Sequence, residues 1–503
     1  MKSIYIRCYF QFSLLLSLNV TAQPGSLDIT FGNAGKVITN NGWQSVTGTT
    51  CLMQPDGKIV VGGAGYDGTL NYGWTLYRFQ PNGSTDASFA GDGCIDEDFI
   101  GTSWVINIAL QTDQKVVELG YWGIKSLIKR WDTDGTIDIT FGYGGEILCD
   151  DLGEFNAMEI LQDDRIILAG KSYSSQTYGS AVVCLDEYGN LDPSFGNGGI
   201  CAIPDTSIDL LFYSALQSDD KIMVLGHNYD GNSFLIARIN TDGVIDSTFG
   251  LNGILTYQFW SGYLAPFAMI TDPADNILIS GAITATIDQN PFLIRLTPDG
   301  LCDSSFNQNG FLSISYGTES FERWGAIVVE EDKKILVGGF SEDSLLLCSF
   351  RDDGSIDSAF GNYGKVKDYF GGYGTGIADI CIQDDAKVVA VGRGNNSHMV
   401  LRYNTAFSIG LNEPKSEIVS FNIYPNPLQN QATLDYTLKT GTEVSVSLLN
   451  ILGQTVDVFI DGKMMEAGSN SETLSFYSNY LPGMYFVRIT CGGDTKLIKC
   501  EIY

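Results

Sequence analysis

The sequence predicts an all-β fold, a seven-bladed β-propeller followed by a small Ig-like β-sandwich. Three observations lead there. A motif of the form Asp-x-x-Phe-Gly begins at Asp28 and returns at Asp86, Asp138, Asp192, Asp246, Asp303 and Asp357, with Phe-to-Phe steps of 58, 52, 54, 54, 57 and 54 residues. A period of that length marks a repeat architecture. Each unit also carries four short runs of strand composition and no segment with a convincing helical period. Finally, neither end of the array resembles a cap, which an open stack would need to cover its edges.

In the first unit the strand runs are Lys36-Val37-Ile38-Thr39, Ser45 to Gln54, Lys58-Ile59-Val60-Val61 and Thr75 to Phe79. Pro55-Asp56-Gly57 joins the second run to the third, and Asn82-Gly83 closes the fourth. Asp134-Gly135, Asp242-Gly243, Asp299-Gly300 and Asp353-Gly354 repeat the latter turn. Such dipeptides supply the positive φ that tight turns require. In the motif itself the Asp is placed to cap the local turn and the Phe to plug the core. A further glycine recurs as Gly63, Gly120, Gly170, Gly226, Gly281, Gly339 and Gly392, which predicts a bulge or a close backbone approach in a crowded centre. The last unit ends after Met399 to Tyr403 without a following Asp-x-x-Phe-Gly copy. The first strand run is therefore expected to complete the last blade and lock the ring.

The chain begins with the pattern of an export signal: Lys2 and Arg7, an apolar run from Phe10 to Leu18, and Val20-Thr21-Ala22 before Gln23. The predicted organisation is a signal peptide over 1–22, the propeller over 23–405, a linker over 406–419 and a tail domain over 420–503. No stretch is long and apolar enough to predict a membrane span. Acidic residues number 59 against 29 basic ones, a surface that repels phosphate backbones and argues against nucleic acid as partner. The cysteines are scattered without C-x-x-C spacing, and only two histidines are present. No metal site is predicted, and most cysteines read as small buried side chains.

Leu-Asp-x-x-Phe-Gly, Gln-x-Asp-Gly-Lys-Ile and Arg-x-x-x-Asp-Gly together resemble the delta-60 repeat of exported bacterial proteins, over roughly Ser26 to Asn404. Ala90 and Asn307 depart from that pattern by replacing the Gly after Phe. The resemblance implies a β-propeller and no particular chemistry. The tail is similar to the C-terminal sorting domain of type IX secretion cargo. Tyr424-Pro425-Asn426-Pro427, Leu449-Asn450-Ile451-Leu452-Gly453-Gln454, Leu481-Pro482-Gly483-Met484-Tyr485 and Lys496-Leu497-Ile498-Lys499 carry that resemblance. It implies recognition by the outer-membrane translocon and delivery to the cell surface or the medium.

Chemistry is sparse. The paired carboxylates Asp163-Asp164, Asp219-Asp220 and Asp384-Asp385 sit in the repeated turn, where a solvated acidic loop is the ordinary explanation. No cofactor is predicted, and calcium at these turns stays an open alternative. No nucleophile elbow or phosphate loop occurs. The candidate ligand-binding set is a series of aromatics 12 to 17 residues after each motif Phe: Trp43, Trp104, Phe155, Phe212, Tyr263, Phe321 and Tyr373, joined by Trp260 and Trp324. On one face they would offer platforms for sugar rings or partner side chains; the competing reading packs them between blades. The leading functional expectation is an exported binding or scaffold propeller for a polysaccharide or a surface protein. The alternative is a hydrolase or lyase acting on extracellular polysaccharide at the propeller face.

Overall fold

The computed structural model describes residues 23–69, 71–174, 179–204, 210–227, 233–258, 263–284, 289–314, 321–371, 374–405, 418–425, 428, 431–450, 455–476, 480, 483–491 and 494–502. The predicted leader (1–22) and residues 406–417 of the predicted linker lie outside these. Contacts divide the chain into two compact units between residues 408 and 409.

In the first unit, seven four-stranded antiparallel sheets form the blades of a propeller. Their inner strands are Ser45–Met53, Ser103–Leu110, Gly153–Ile160, Leu211–Leu216, Tyr263–Thr271, Glu322–Val329 and Gly376–Ile382, for blades 1 to 7. Each inner strand contacts the next, and the seventh contacts the first, so the ring is closed. The second strand of each blade is buried on both sides, as in Ile166–Ser172. That explains why its sequence is a continuous apolar run rather than an alternating one: neighbouring blades cover both faces.

Closure is made by the start of the chain. Lys36–Thr39 is the outermost strand of blade 7, with Lys36 opposite Leu401 and Thr39 opposite His398. Residues before it complete the join. The Gly25 amide donates to the Asn404 carbonyl at 2.6 Å, and the Gly361 amide donates to the Pro24 carbonyl at 2.7 Å. At five other junctions the repeated turn accepts that second bond, as when the Ala90 amide donates to the Asp134 carbonyl. Pro24 and Gly25 thus take the place that the repeated turn holds at those junctions.

The repeated motif staples blade to blade. Arginines near the end of the third strand pair with the motif Asp: Arg78–Asp86, Arg130–Asp138 and Arg295–Asp303 at 2.7 Å, Arg238–Asp246 at 2.8 Å and Arg402–Asp28 at 2.7 Å. Each guanidinium lies 4.5 to 5.0 Å from the centre of the motif Phe ring. Each also donates to a turn carbonyl of the following blade, at Thr133, Glu187, Pro298, Asp352 and, across the closure, Pro81. Burial pushes the Asp28 carboxyl up, but Thr30, Lys387 and Arg402 outweigh it and hold the group at about 2. Two blades depart from the rule. Blade 3 has Cys184 in the arginine position, and Arg165, just before the neighbouring strand, reaches both Asp192 (3.3 Å) and the Thr241 carbonyl (3.0 Å) instead. Blade 6 has Ser349 there, and its half-exposed Arg351 stays 3.9 Å from Asp357. The residue after the motif Phe takes a φ near +50° even where it is Ala90 (52°) or Asn307 (44°), so those two hold a conformation that glycine adopts without strain.

The recurrent glycine marks a bulge. Every inner strand slips register by one residue, at Gly48/Thr50, Val105/Asn107, Phe155/Ala157, Leu211/Tyr213, Pro266/Ala268, Trp324/Ala326 and Ile377/Asp379. A Cβ on Gly339 would sit 1.9 Å from the Arg323 carbonyl oxygen, a distance no side chain permits. The extra residue can reach the next blade: Thr49 Oγ1 donates to the Val105 carbonyl (2.9 Å) and Asn156 Nδ2 to the Leu211 carbonyl (3.1 Å).

The second unit is a β-sandwich. Ile418–Tyr424, Gln431–Leu438 and Gly468–Ser475 form one sheet; Thr455–Met465, Thr442–Leu449, Gly483–Cys491 and Asp494–Ile502 form the other. Alternating residues such as Leu434, Tyr436, Val446, Leu448, Val487 and Ile489 fill the core between them.

Candidate functional site

The antiparallel order of each blade sorts its loops onto two faces. The Pro-Asp-Gly and Asn-Gly type turns and the Asp-x-x-Phe-Gly motif share one face. The hairpins between the second and third strands and the crossings between blades share the other. On the repeating face the acidic turns are self-satisfied. Asp56 Oδ1 accepts from the Lys58 amide (3.1 Å), while Asp56 Oδ2 pairs with Lys58 Nζ at 3.0 Å. Asp219 and Lys221 repeat the arrangement. Among the described residues no group of three His, Cys, Asp or Glu side chains is placed to hold a metal ion.

The second face does not repeat, and it separates the predicted aromatics. Trp43, Phe155 and Trp324 are buried. The Trp43 ring fills the space beside Gly65 and Gly73, Phe155 joins the core between blades 2 and 3, and Trp324 packs edge-on against Phe350. An enclosed ring offers no platform to a ligand, so these three take the packing role that competed with binding. Trp104 (41% exposed), Tyr263 (40%) and Phe321 (59%) reach the surface, and half-buried Phe212 stacks on His227 with ring centres 4.4 Å apart. They belong to different blades. Trp260 and Tyr373 lie outside the described residues.

Sequence reasoning missed the place where polar groups converge. Between blades 7 and 1, on the non-repeating face, Gln44, Ser45, Thr47, Ala64, Gly65, Tyr66, Tyr72, Arg393 and Asn396 line a pocket of about 380 Å³. Asn395 and Asn396, with φ of 50° and 62°, form the tight turn that follows Arg393. The Asn396 carbonyl accepts the Val46 amide of blade 1 at 3.0 Å, which pins this turn across the seam. Tyr66 and Tyr72 face each other with ring centres 4.9 Å apart and planes 33° from parallel. Arg393 donates from Nη2 to Asn396 Oδ1, while its Nε is buried without a partner among the described residues. An unmade bond of that kind costs about 1–3 kcal/mol. No carboxylate lines this pocket. A second arginine of the face, Arg323, lies over the rings of Phe340 (4.6 Å) and Phe267 (4.9 Å). The chemistry on offer is hydrogen bonding, stacking and a fixed positive charge.

Deeper in the seam the groups are enclosed. His398 stacks on Tyr77 with centres 5.0 Å apart, and burial lowers it to about 4, so it is neutral near pH 7. Burial pushes Asp379 up to about 6 although the Cys51 and Ile380 amides both donate to it at 2.8 Å.

These features define a closed seven-bladed β-propeller with a separate β-sandwich tail. Residues 422–502 match the secretion system C-terminal sorting domain, and residues 54–89, 161–195 and 217–249 match a β-propeller domain of unknown function, DUF5122. The chain is accordingly a propeller protein carrying a type IX sorting tail, exported to the cell surface or the extracellular space. Among the described residues no helix is long and apolar enough to cross a membrane. No curated protein matches the chain. Among solved structures it is similar to PorZ, a surface component of the type IX secretion system of Porphyromonas gingivalis, at 12% identity over 90% of this chain and 74% of that one, with a TM-score of 0.34. Drosophila Semaphorin 1b (10% identity, 77% and 88% coverage, TM-score 0.41) and prolyl oligopeptidase B of Galerina marginata (11%, 80% and 58%, 0.44) are further examples. Similarities of this size carry no functional information.

Proposed function

We propose that this exported propeller is a binding protein that holds an extracellular polysaccharide on its non-repeating face. The observation that carries the reading is the pocket between blades 7 and 1, where the Tyr66–Tyr72 pair meets the amide and hydroxyl groups of Gln44, Thr47 and Asn396. Flat rings beside hydrogen-bonding side chains suit sugar rings, which present apolar faces and hydroxyl edges. The lining residues hold no pair of carboxylates to serve as acid and base, the arrangement that glycoside hydrolysis uses. Exposed Trp104 and Tyr263 extend the apolar surface over other blades.

Affinity electrophoresis of the purified chain through gels containing polysaccharides tests this, together with an assay for new reducing ends. Retardation that weakens in Tyr72→Ala and Trp104→Ala, without release of reducing ends, is the expected result. New reducing ends from the wild type would replace binding by depolymerisation. Absence of retardation, with capture of a surface protein instead, would move the face to a protein partner.

A further inference from the structure

We infer that the pocket between blades 7 and 1 is an anion subsite in which Arg393 takes the carboxylate of an acidic sugar residue. The inference rests on the reading that this face binds polysaccharide and names the class of sugar. Three features lead to it.

Five arginines of the repeating face are committed to the repeated motif. Arg78, Arg130, Arg238, Arg295 and Arg402 each hold a motif Asp at 2.7 to 2.8 Å. Arg393 has no carboxylate within 4.0 Å among the described residues, and none lines its pocket. Its hydrogen-bond partner Asn396 Oδ1 is neutral and fixes the plane of the guanidinium from a turn tied to Val46. Arg393 lines the pocket, and the Nη groups of a guanidinium held in plane suit the oxygens of a carboxylate.

The electrostatic setting is the second feature. The chain carries a formal charge of −30, so an anion reaches this surface against a repulsive field. A pocket lined by arginine and free of carboxylates departs locally from that field, and a ligand bound there is selected for its charge and not attracted by the protein as a whole. The third feature is the tyrosine pair in the same wall, which gives the ring bearing the carboxylate something to lie against.

The test uses the full chain in affinity gels containing polygalacturonate, dextran or dextran sulfate, with Arg393→Gln, Arg393→Lys and Asn396→Asp. Asn396→Asp places a carboxylate against the guanidinium and occupies it without truncating any side chain, so it covers the case in which Arg393→Gln folds poorly. Retardation by polygalacturonate exceeding that by dextran is expected, falling at least tenfold in Arg393→Gln and Asn396→Asp and less in Arg393→Lys, which keeps charge but loses the fork. Equal retardation by dextran and polygalacturonate, unchanged in the variants, would overturn the subsite and leave polysaccharide binding standing. Dextran sulfate held as tightly as polygalacturonate would overturn the carboxylate assignment. If no polymer retards the wild type, the polysaccharide reading fails, and titration with free glucuronate followed by NMR decides the pocket. Shifts lost in Arg393→Gln uphold the anion subsite, and no shifts overturn it.

Discussion

Replacing Arg402 with Met is the most informative single change, because this side chain joins both ends of the propeller. Its Nη2 pairs with Asp28 Oδ2 at 2.7 Å and donates to Thr30 Oγ1 at 3.0 Å. Its Nη1 donates to the Pro81 carbonyl at 2.6 Å and to Gln383 Oε1 at 2.9 Å. Removing one partner of a buried ion pair costs about 3–5 kcal/mol because the other charge is left uncompensated. Lys387 remains 3.1 Å from Asp28 and softens that loss. Met preserves much of the apolar contact with the Phe31 ring. The lower end, about 3 kcal/mol, is therefore expected. Arg351→Met is the control: it occupies the corresponding region of blade 6, is half exposed and stands 3.9 Å from its Asp, so its loss is expected below about 1 kcal/mol. Denaturant melts of the two variants, with proteolysis at the amino-terminal strand as a second readout, measure the difference. Equal stability of the two would refute the argument that the closing staple holds the ring. Asp28 is held below its ordinary 3.8, so its contribution is present above that value and fades as pH falls towards 2; losing Arg402 moves this fading to higher pH.

Phe249 is fully buried under Arg238 and against Gly300 of the next blade. Phe249→Ala is expected to cost about 3–5 kcal/mol in denaturant melts, whereas exposed Trp104→Ala is expected to cost far less. A stable Phe249→Ala protein that loses polysaccharide would reverse the two roles. Burial pushes the Glu118 carboxyl up to about 8, against the pull of the Trp131 Nε1 hydrogen bond at 2.8 Å. A group raised in the folded state contributes stability that is complete below its ordinary value near 4.5 and is lost as pH rises towards 8. Glu118→Gln is therefore expected to flatten the decline between pH 5 and pH 8, and a steeper decline in the variant would contradict this.

The ring was legible because its determinants repeat. Asp28, Phe31 and their copies recur in register, and the missing copy after Tyr403 pointed to the strand that closes blade 7. The aromatics were not sortable by the same means. Counting from the motif Phe runs through crossings of variable length and into a strand containing a bulge, and one extra residue exchanges inward for outward. Trp104 and Phe155 illustrate it. Trp104 stands opposite Tyr121 and is exposed, whereas Phe155, opposite Gly170 and next to the slip, is buried. Arg393 was invisible for a different reason. The matching positions hold Ala64, Tyr121, Lys171, His227, Ala282 and Phe340, so repetition is silent where the blades differ.

The strand that closes the ring also fixes the order in which the molecule is assembled. Six blades are each built from one continuous stretch and can pair as soon as that stretch is available. Blade 7 takes three strands from Gly376–Tyr403 and its fourth from Lys36–Thr39, so the first residues wait for the last. Pairing Lys36 with Leu401 demands a loop closure far longer than any hairpin, and such contacts form late. Until then the Ser397–Tyr403 strand presents an open edge, the kind of surface on which chains join to one another. A propeller of this design is most exposed to misassembly in the interval between completing blade 6 and recapturing its own beginning.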